Sequence, residues 1–394
     1  MVIKILGLED NVNSINDIRK FVKKSQIHQI NIPNKNKFLI ETEGIEFFDS
    51  LNVMDQLKKI NSIKMNFDIC VTSSWTTSRL AYLADMKYII NFVGNDIRIP
   101  PFIKNSKPFY FKEKVNDLNF LQRIFYKKVL DSAAACVAAS DESYNDLKKY
   151  RNDGIRIDRT IVNTKLFHPD IKPIEMKKRK FTFFSPQRIG REKGVDILWK
   201  ALPLCKSDFE ILQVDWCDET SEEAKIVSNE ILQKKPPQVK LIPKIPRKEI
   251  SRYYAFADAV LGEMRMGLLN NIEREAALCK KPVICYYNPN MKYLLNNKTV
   301  LAPFLPNSND PSHIAEIIDK VVESEQFRNE LAEKEYDFVK EYGDPDKAAE
   351  EWDNVFEKIH HNLKRQKPSR FKSFLRLLLF NFSHNLFFKD VKLS

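Results

Sequence analysis

Glycine is scarce in this chain, with nine in 394 residues. Each one present is therefore a candidate for a backbone conformation that other residues resist. The first apolar run, residues 2–6, leads into Gly7-Leu8-Glu9-Asp10-Asn11, so the glycine-rich loop that opens many nucleotide folds is missing there. Six cysteines, at 70, 136, 205, 217, 279 and 285, make no C-x-x-C pair. That excludes the close ligand pairs of a structural zinc site, and cysteines in apolar runs, such as Cys70 and Cys136, read as reduced core residues of a cytosolic protein. No apolar run approaches the ~20 residues of a membrane-spanning helix. The N-terminal run ends by Leu8 and meets acidic residues, which is not the pattern of a secretion signal. Acidic residues are also missing from one stretch in particular. Between Lys358 and Lys389 lie eight Lys or Arg and no Asp or Glu, and the formal net charge of +11 falls to +3 without those eight. Such an excess suits an anionic partner. Aromatic and basic residues interleave only in this tail and no nucleic-acid motif is present, so no nucleic-acid partner is expected.

What is present is a globular balance, 43% hydrophobic and 30% charged, in a chain long enough for two domains with a core each. Short apolar runs at residues 2–6, 37–40, 68–72, 88–93 and 134–139 read as strands. Helical patterns at 15–24, 48–60, 77–84, 118–132 and 142–150 separate them. A Pro- and Lys-rich stretch at 170–180 reads as a linker. The alternation then resumes, with strands near 181, 209, 239, 258, 282 and 299. Strands alternating with helices predict parallel sheets covered on both faces, hence two doubly wound domains facing a cleft, with ligands beyond the C-terminal ends of the strands.

Two segments carry chemistry. Ser185-Pro186-Gln187-Arg188-Ile189-Gly190-Arg191-Glu192-Lys193-Gly194 follows an apolar strand and precedes a helix. Gly267, Asn270, Asn271 and Glu275 lead into a second strand, Pro282-Val283-Ile284. Arg188 offers a planar fork of donors and Lys193 a point charge, both suited to phosphate oxygens. A helix beginning near Asn270 or Asn271 adds backbone N–H groups and a partial positive charge. Glu275 is a carboxylate able to accept hydrogen bonds from a ribose diol. Together they describe a nucleoside diphosphate site, although an Arg/Lys pair in a chain with 64 basic residues is also common as solvated surface.

These segments resemble the C-terminal domain of the retaining GT-B glycosyltransferases of family four. Arg188, Lys193 and Gly194 match the family's G-R-x4-K-G pattern. Glu275, Ala276, Ala277, Pro282, Val283 and Ile284 match its E-A-x-A-x-G-x-P-V-I. Residues 162–169 resemble its interdomain segment, and Gly94-Asn95-Asp96-Ile97-Arg98 resembles H-G-S-D-I-R. The resemblance implies a GT-B fold and transfer of a sugar from a UDP- or GDP-sugar with retention at the anomeric carbon. It implies no bound metal and no cofactor beyond the donor. Arg188, Lys193, Gly267, Asn270 and Asn271 would hold the diphosphate and Glu275 the ribose. Asn95, Asp96 and Arg98 would face the acceptor, a glycan, a lipid-linked saccharide or a protein, with Asp96 the candidate catalytic group. There are departures: Gly267 stands where the family usually has a first glutamate, Val93 where it has histidine, and Lys280 where it has glycine. They favour an alternative, a nucleotide-sugar or glycan-binding protein with weak or no turnover.

The expected division is residues 1–170 for the acceptor side, 171–345 for the donor side, 346–365 for a helix returning to the first domain, and 366–394 for a basic amphipathic tail. Asp344-x-Asp346 has the form of a metal-binding D-x-D but reads better as a cap before Pro345 at a helix start. In the tail, Phe371, Phe374, Leu375, Leu378, Leu379, Phe382 and Leu386 fall at helical spacing, with Arg370, Lys372, Ser373, Arg376 and Asn381 across from them. Such a helix suits an anionic membrane interface, and with it a peripheral place on the inner face of the cell membrane. It equally suits packing on the protein's own N-terminal domain or on another subunit.

Overall fold

The structure is a computed structural model of the chain, and it describes all residues except 1, 10–12, 34–41, 105–117, 139–140, 158, 179, 220, 296–297, 363–369 and 385–394. The strand expected at 37–40 and part of the tail lie outside the described residues. The chain divides into two compact units: Met1–Ile161 with Asp346–Ser394, and Val162–Pro345.

In unit 1 the elements run β1 (Ile3–Glu9), α1 (Ser14–Phe21), β2 (Ser25–Asn31), β3 (Glu46–Phe47), α2 (Val53–Ile63), β4 (Ile69–Thr72), α3 (Trp75–Leu83), β5 (Tyr88–Phe92), α4 (Asn95–Arg98), α5 (Phe120–Ser132), β6 (Ala135–Ala138), α6 (Asp141–Lys148) and β7 (Ile155–Arg156). The seven strands form one sheet in the order β3-β2-β1-β4-β5-β6-β7, every pairing parallel. β1 is central because its side chains are apolar towards both faces. Ile5 sits in register with Ile27 on one side and Ile69 on the other. β2 went unseen in the sequence because Gln26, His28 and Gln29 break its apolar pattern. Only two residues of β3 pair beyond it, so polar side chains are tolerated there.

Unit 2 contains β8 (Phe181–Ser185), α7 (Val195–Ala201), β9 (Phe209–Val214), α8 (Glu222–Gln233), β10 (Val239–Ile242), α9 (Ile250–Phe256), β11 (Ala259–Leu261), α10 (Asn271–Leu278), β12 (Val283–Ile284), β13 (Tyr293–Leu295), β14 (Lys298–Val300), α11 (Pro311–Glu323) and α12 (Glu325–Tyr342). Its main sheet is parallel, in the order β10-β9-β8-β11-β12. The strand expected near 299 belongs elsewhere: β14 pairs antiparallel with β13 in a separate hairpin. Residues 162–170 pack with this unit, where Phe167 is buried in an apolar cluster with Tyr254 and Phe256.

Two further helices complete unit 1. The first is α13 (Pro345–Asn362), whose Trp352, Val355, Phe356 and Ile359 fall on one face. They bury against Ile3, Ile5, Ile69 and Ile89 of the sheet. Asp353 accepts hydrogen bonds from the Lys23 and Lys24 backbone at 2.8 and 3.0 Å, which ties the helix to the end of α1. Asp346 pairs with Lys23 at 2.7 Å. The second is α14 (Arg370–His384), which packs on α3 and α5 over the opposite face of the sheet. No described helix is long and apolar enough to cross a membrane.

Candidate functional site

Both sheets have the order of a doubly wound fold. In unit 2 the direction of winding reverses between β8 and β11, which are adjacent. The loops leaving such a pair of strands diverge and open a crevice at the C-terminal edge of the sheet. The two segments singled out in the sequence are those loops, residues 186–194 after β8 and 262–270 after β11.

They are built as one piece. Met264 donates its backbone N–H to the Lys193 carbonyl at 3.1 Å. Arg265 Nη2 donates to both carboxylate oxygens of Asp196 at 2.7 Å, and its Nε donates to the Arg191 carbonyl. Gly194 caps α7 in a left-handed conformation, φ 66°, and a Cβ there would lie 2.7 Å from the Met264 carbonyl carbon. Gly267 also has a positive φ, 72°, and a Cβ on it would lie 2.6 Å from Asn288 Cβ. No glutamate fits that backbone without displacing Asn288, which is the physical content of the departure at this position.

A buried carboxylate unnoticed in the sequence holds the second loop in shape. Glu263 accepts hydrogen bonds from the backbone N–H groups of Arg265, Met266 and Gly267. Burial pushes its carboxyl up to about 7, and the nearby Lys193 ammonium works against that rise. Glu273 is the second unnoticed carboxylate. It accepts from Glu263 N–H at 2.7 Å and from Asn270 N–H at 2.8 Å, which staples the end of β11 to the start of α10. The available signal was a lone acid after an apolar strand, with another acid ten residues on.

The residues anticipated as a diphosphate site all lie in unit 2: Arg188, Lys193 and Gly267 on the two loops, Asn270 and Asn271 at the start of α10. Arg188 is heavily engaged. It pairs with Glu192, lies 3.5 Å from Asp218, and its guanidinium sits 5.7 Å from the Trp216 ring centre. Glu275, anticipated as the ribose partner, points elsewhere. It is buried, paired with Arg247 at 2.6 Å, and accepts from the Tyr254 hydroxyl at 3.4 Å. Arg247 in turn lies over the Phe167 ring at 4.9 Å.

The acceptor-side candidates lie in unit 1, on α4 beyond the end of β5. The Asp96 carbonyl accepts from Trp75 Nε1 at 2.7 Å, and Ile97 is buried. That ties α4 to the start of α3, where Ser74 caps the helix reciprocally with Thr77. Of Asn95, the structure describes the backbone only. Nearby, at the winding reversal between β1 and β4, Glu9 accepts hydrogen bonds from Ser14 Oγ and Ile15 N–H at 3.0 Å and from Gln29 Nε2 at 2.8 Å. Among the described residues no group of three or more His, Cys, Asp or Glu could hold a metal ion.

Residues 168–338 match the family model of glycosyl transferases group 1. That span lies within unit 2 and includes both loops. No curated protein matches in sequence. Three solved structures share the fold across the chain. HepE of Anabaena, in complex with UDP and glucose, is 15% identical with a TM-score of 0.64, covering 90% of this chain and 100% of that one. The sucrose-phosphate synthase of Thermosynechococcus elongatus is 13% identical with a TM-score of 0.63, covering 91% and 100%. A glycosyltransferase of Rickettsia africae is 17% identical with a TM-score of 0.60, covering 92% and 99%. The fold is therefore GT-B, two Rossmann-like parallel-sheet domains.

Proposed function

We propose that the chain transfers a sugar from a nucleoside diphosphate sugar to an acceptor, with retention at the anomeric carbon and without a bound metal. The observation that carries this reading is the fusion of the Arg188–Gly194 and Glu263–Asn270 loops at the winding reversal of unit 2, within the segment that matches glycosyl transferases group 1. Arg188 and Lys193 would neutralise the diphosphate as it leaves, the moment when its charge grows and fixed cations are most effective. Arg188 would exchange Glu192 for a phosphate oxygen. The first turn of α10 would supply further N–H donors. UDP in the HepE complex favours uridine over guanosine for the donor. Retention rests on the resemblance of the two segments, and metal independence on the presence of two cations where a metal would otherwise act.

Glu275 would reach a ribose only by leaving Arg247, so its role is better read as holding α10 in place. Asp96 remains the candidate for chemistry on the acceptor side. The acceptor is a glycan or a lipid-linked saccharide, and the setting is the cytoplasm, at the inner face of the membrane. The second reading is a nucleotide-sugar-binding protein without turnover, favoured by the ion pair on Glu275 and by Gly267. Thermal shift with UDP- and GDP-sugars, followed by product analysis by NMR with and without chelator, separates the two. Stabilisation without any product establishes the binding protein. An inverted product, or turnover abolished by chelator, removes the retaining metal-free mechanism. No stabilisation by any nucleotide sugar rejects both readings.

A further inference from the structure

The helix α14 is apolar on two sides. Its inward side is fixed to unit 1. Phe380 is fully buried against Phe125, and Arg376 pairs with Asp85 at 2.8 Å and donates to the Tyr82 carbonyl at 2.7 Å. Asn119, at the start of α5, donates to the Ser383 carbonyl at 2.9 Å. Of the residues that the sequence grouped as the apolar stripe, Leu379 packs there, and most of the others described do not. Phe371, Phe374, Leu375 and Phe382 are 70, 56, 48 and 62% exposed, and Leu378 lies between them on the same side. At 1.5 Å per residue this outward stripe runs for ~17 Å. The start of α5, held against the end of α14 by the Asn119 bond, adds Phe120 and Leu121, 67 and 43% exposed.

We propose that this outward face, α14 together with the first residues of α5, docks on an anionic lipid membrane. Scattered exposed apolar residues need no explanation, but a continuous row of aromatics on a fixed helix does. The charge around the row selects the partner. α14 carries no Asp or Glu, Lys372 is exposed beside the row, and the sequence between Lys358 and Lys389 has eight Lys or Arg and no acidic residue. A second copy meeting this face to face would bring like charges together. An anionic surface gathers those cations while phenylalanines enter the boundary between headgroups and acyl chains. Because Arg376, Phe380 and Ser383 already hold the helix, docking requires no unfolding of unit 1.

The test is sedimentation of the full-length chain with vesicles of phosphatidylcholine plus phosphatidylglycerol, and with phosphatidylcholine alone. Binding to the anionic vesicles is expected, weakened but not abolished by salt. Phe371→Glu with Phe374→Glu should lower the apparent affinity at least about tenfold, and Lys372→Gln a few-fold. Both phenylalanines are exposed, so the melting temperature should be unchanged. A Phe374→Trp variant, quenched by brominated lipid acyl chains, reads insertion without disturbing the charge. The proposal is overturned if the chain ignores both vesicles, if the double variant binds as well as the parent, or if the indole of the Phe374→Trp variant is not quenched. It is equally overturned if the chain is a dimer that the double variant splits while vesicle binding is absent. None of these outcomes depends on the nucleotide site.

Discussion

The two units share one winding pattern and differ in what stands at its reversal. In unit 2 the edge between β8 and β11 carries Arg188, Lys193, Arg265, Asp196, Glu263 and Glu273, knitted by ion pairs and backbone hydrogen bonds. In unit 1 the end of β1 carries Glu9, which accepts from the neutral donors Ser14 Oγ, Ile15 N–H and Gln29 Nε2, with Asn31 and Ser74 as further polar groups on this unit. A doubly wound sheet supplies the crevice. Which ligand suits it is decided by a handful of side chains on the loops. Under the proposed function the difference suits an anionic donor on unit 2 and a hydroxyl-bearing acceptor on unit 1.

The sharpest way to break this comparison is to remove charge from unit 2. Arg188→Ala or Lys193→Ala should lower nucleotide-sugar affinity roughly 10- to 100-fold by calorimetry, the worth of a charge-assisted hydrogen bond. If neither changes affinity, the anion site lies elsewhere. Next come the two buried glutamates. Glu263→Ala and Glu9→Ala each strand donors and should each cost about 2–4 kcal/mol in denaturant unfolding. Only Glu263→Ala should also weaken nucleotide binding. Equal effects on binding would erase the distinction between the units.

The third prediction concerns pH. Folded Glu263 keeps its proton up to about pH 7, against an ordinary carboxyl value of 4.5. Between those values the folded chain binds more protons than the unfolded one. Stability from this group is therefore complete below pH 4.5 and is lost as pH rises through about 7, by about 3 kcal/mol. Glu263→Gln should remove that slope. Ionised Glu263 also offsets Lys193, so affinity for UDP-glucose, whose phosphates do not titrate in this range, should fall from pH 6 to 8 in the parent and stay flat in the variant. The smallest effect is expected from Glu192→Gln. With the Glu192 charge gone and Asp218 still beside it, Arg188 should bind nucleotide a few-fold more tightly, and a weaker interaction would show instead that Glu192 orients Arg188 for its ligand.

The parts of this picture legible in the sequence are those governed by local pattern. Apolar strands, the helix start at Pro345 and the two loops follow from spacing and turn chemistry, while the return of α13 to unit 1 was expected from the resemblance. β2 did not, because Gln26, His28 and Gln29 interrupt its apolar pattern, and neither did the β13–β14 hairpin, whose three-residue strands are too short to show a period. The partners of Glu275 were hidden for another reason: Arg247 stands 28 positions earlier, and only the packing of α9 beside α10 brings the two together. The sidedness of α14 was hidden more deeply. Its wheel shows an apolar stripe, and burial would ordinarily be assigned to that stripe, whereas Phe380, Arg376 and Ser383 on the other side make the contact.

Unit 1 is assembled from two pieces of chain, Met1–Ile161 and Asp346–Ser394, with all of unit 2 between them. A ribosome therefore finishes unit 2 before it has made Trp352, Phe356 and Phe380, the side chains that close the two faces of the first sheet. Until they emerge, the strands of residues 3–138 hold apolar surface that nothing else covers, the kind of nascent segment that chaperones retain. The order of synthesis and the order of completion are thus reversed for the two units. Chains released at residue 345 should yield a folded second unit attached to an aggregating first one.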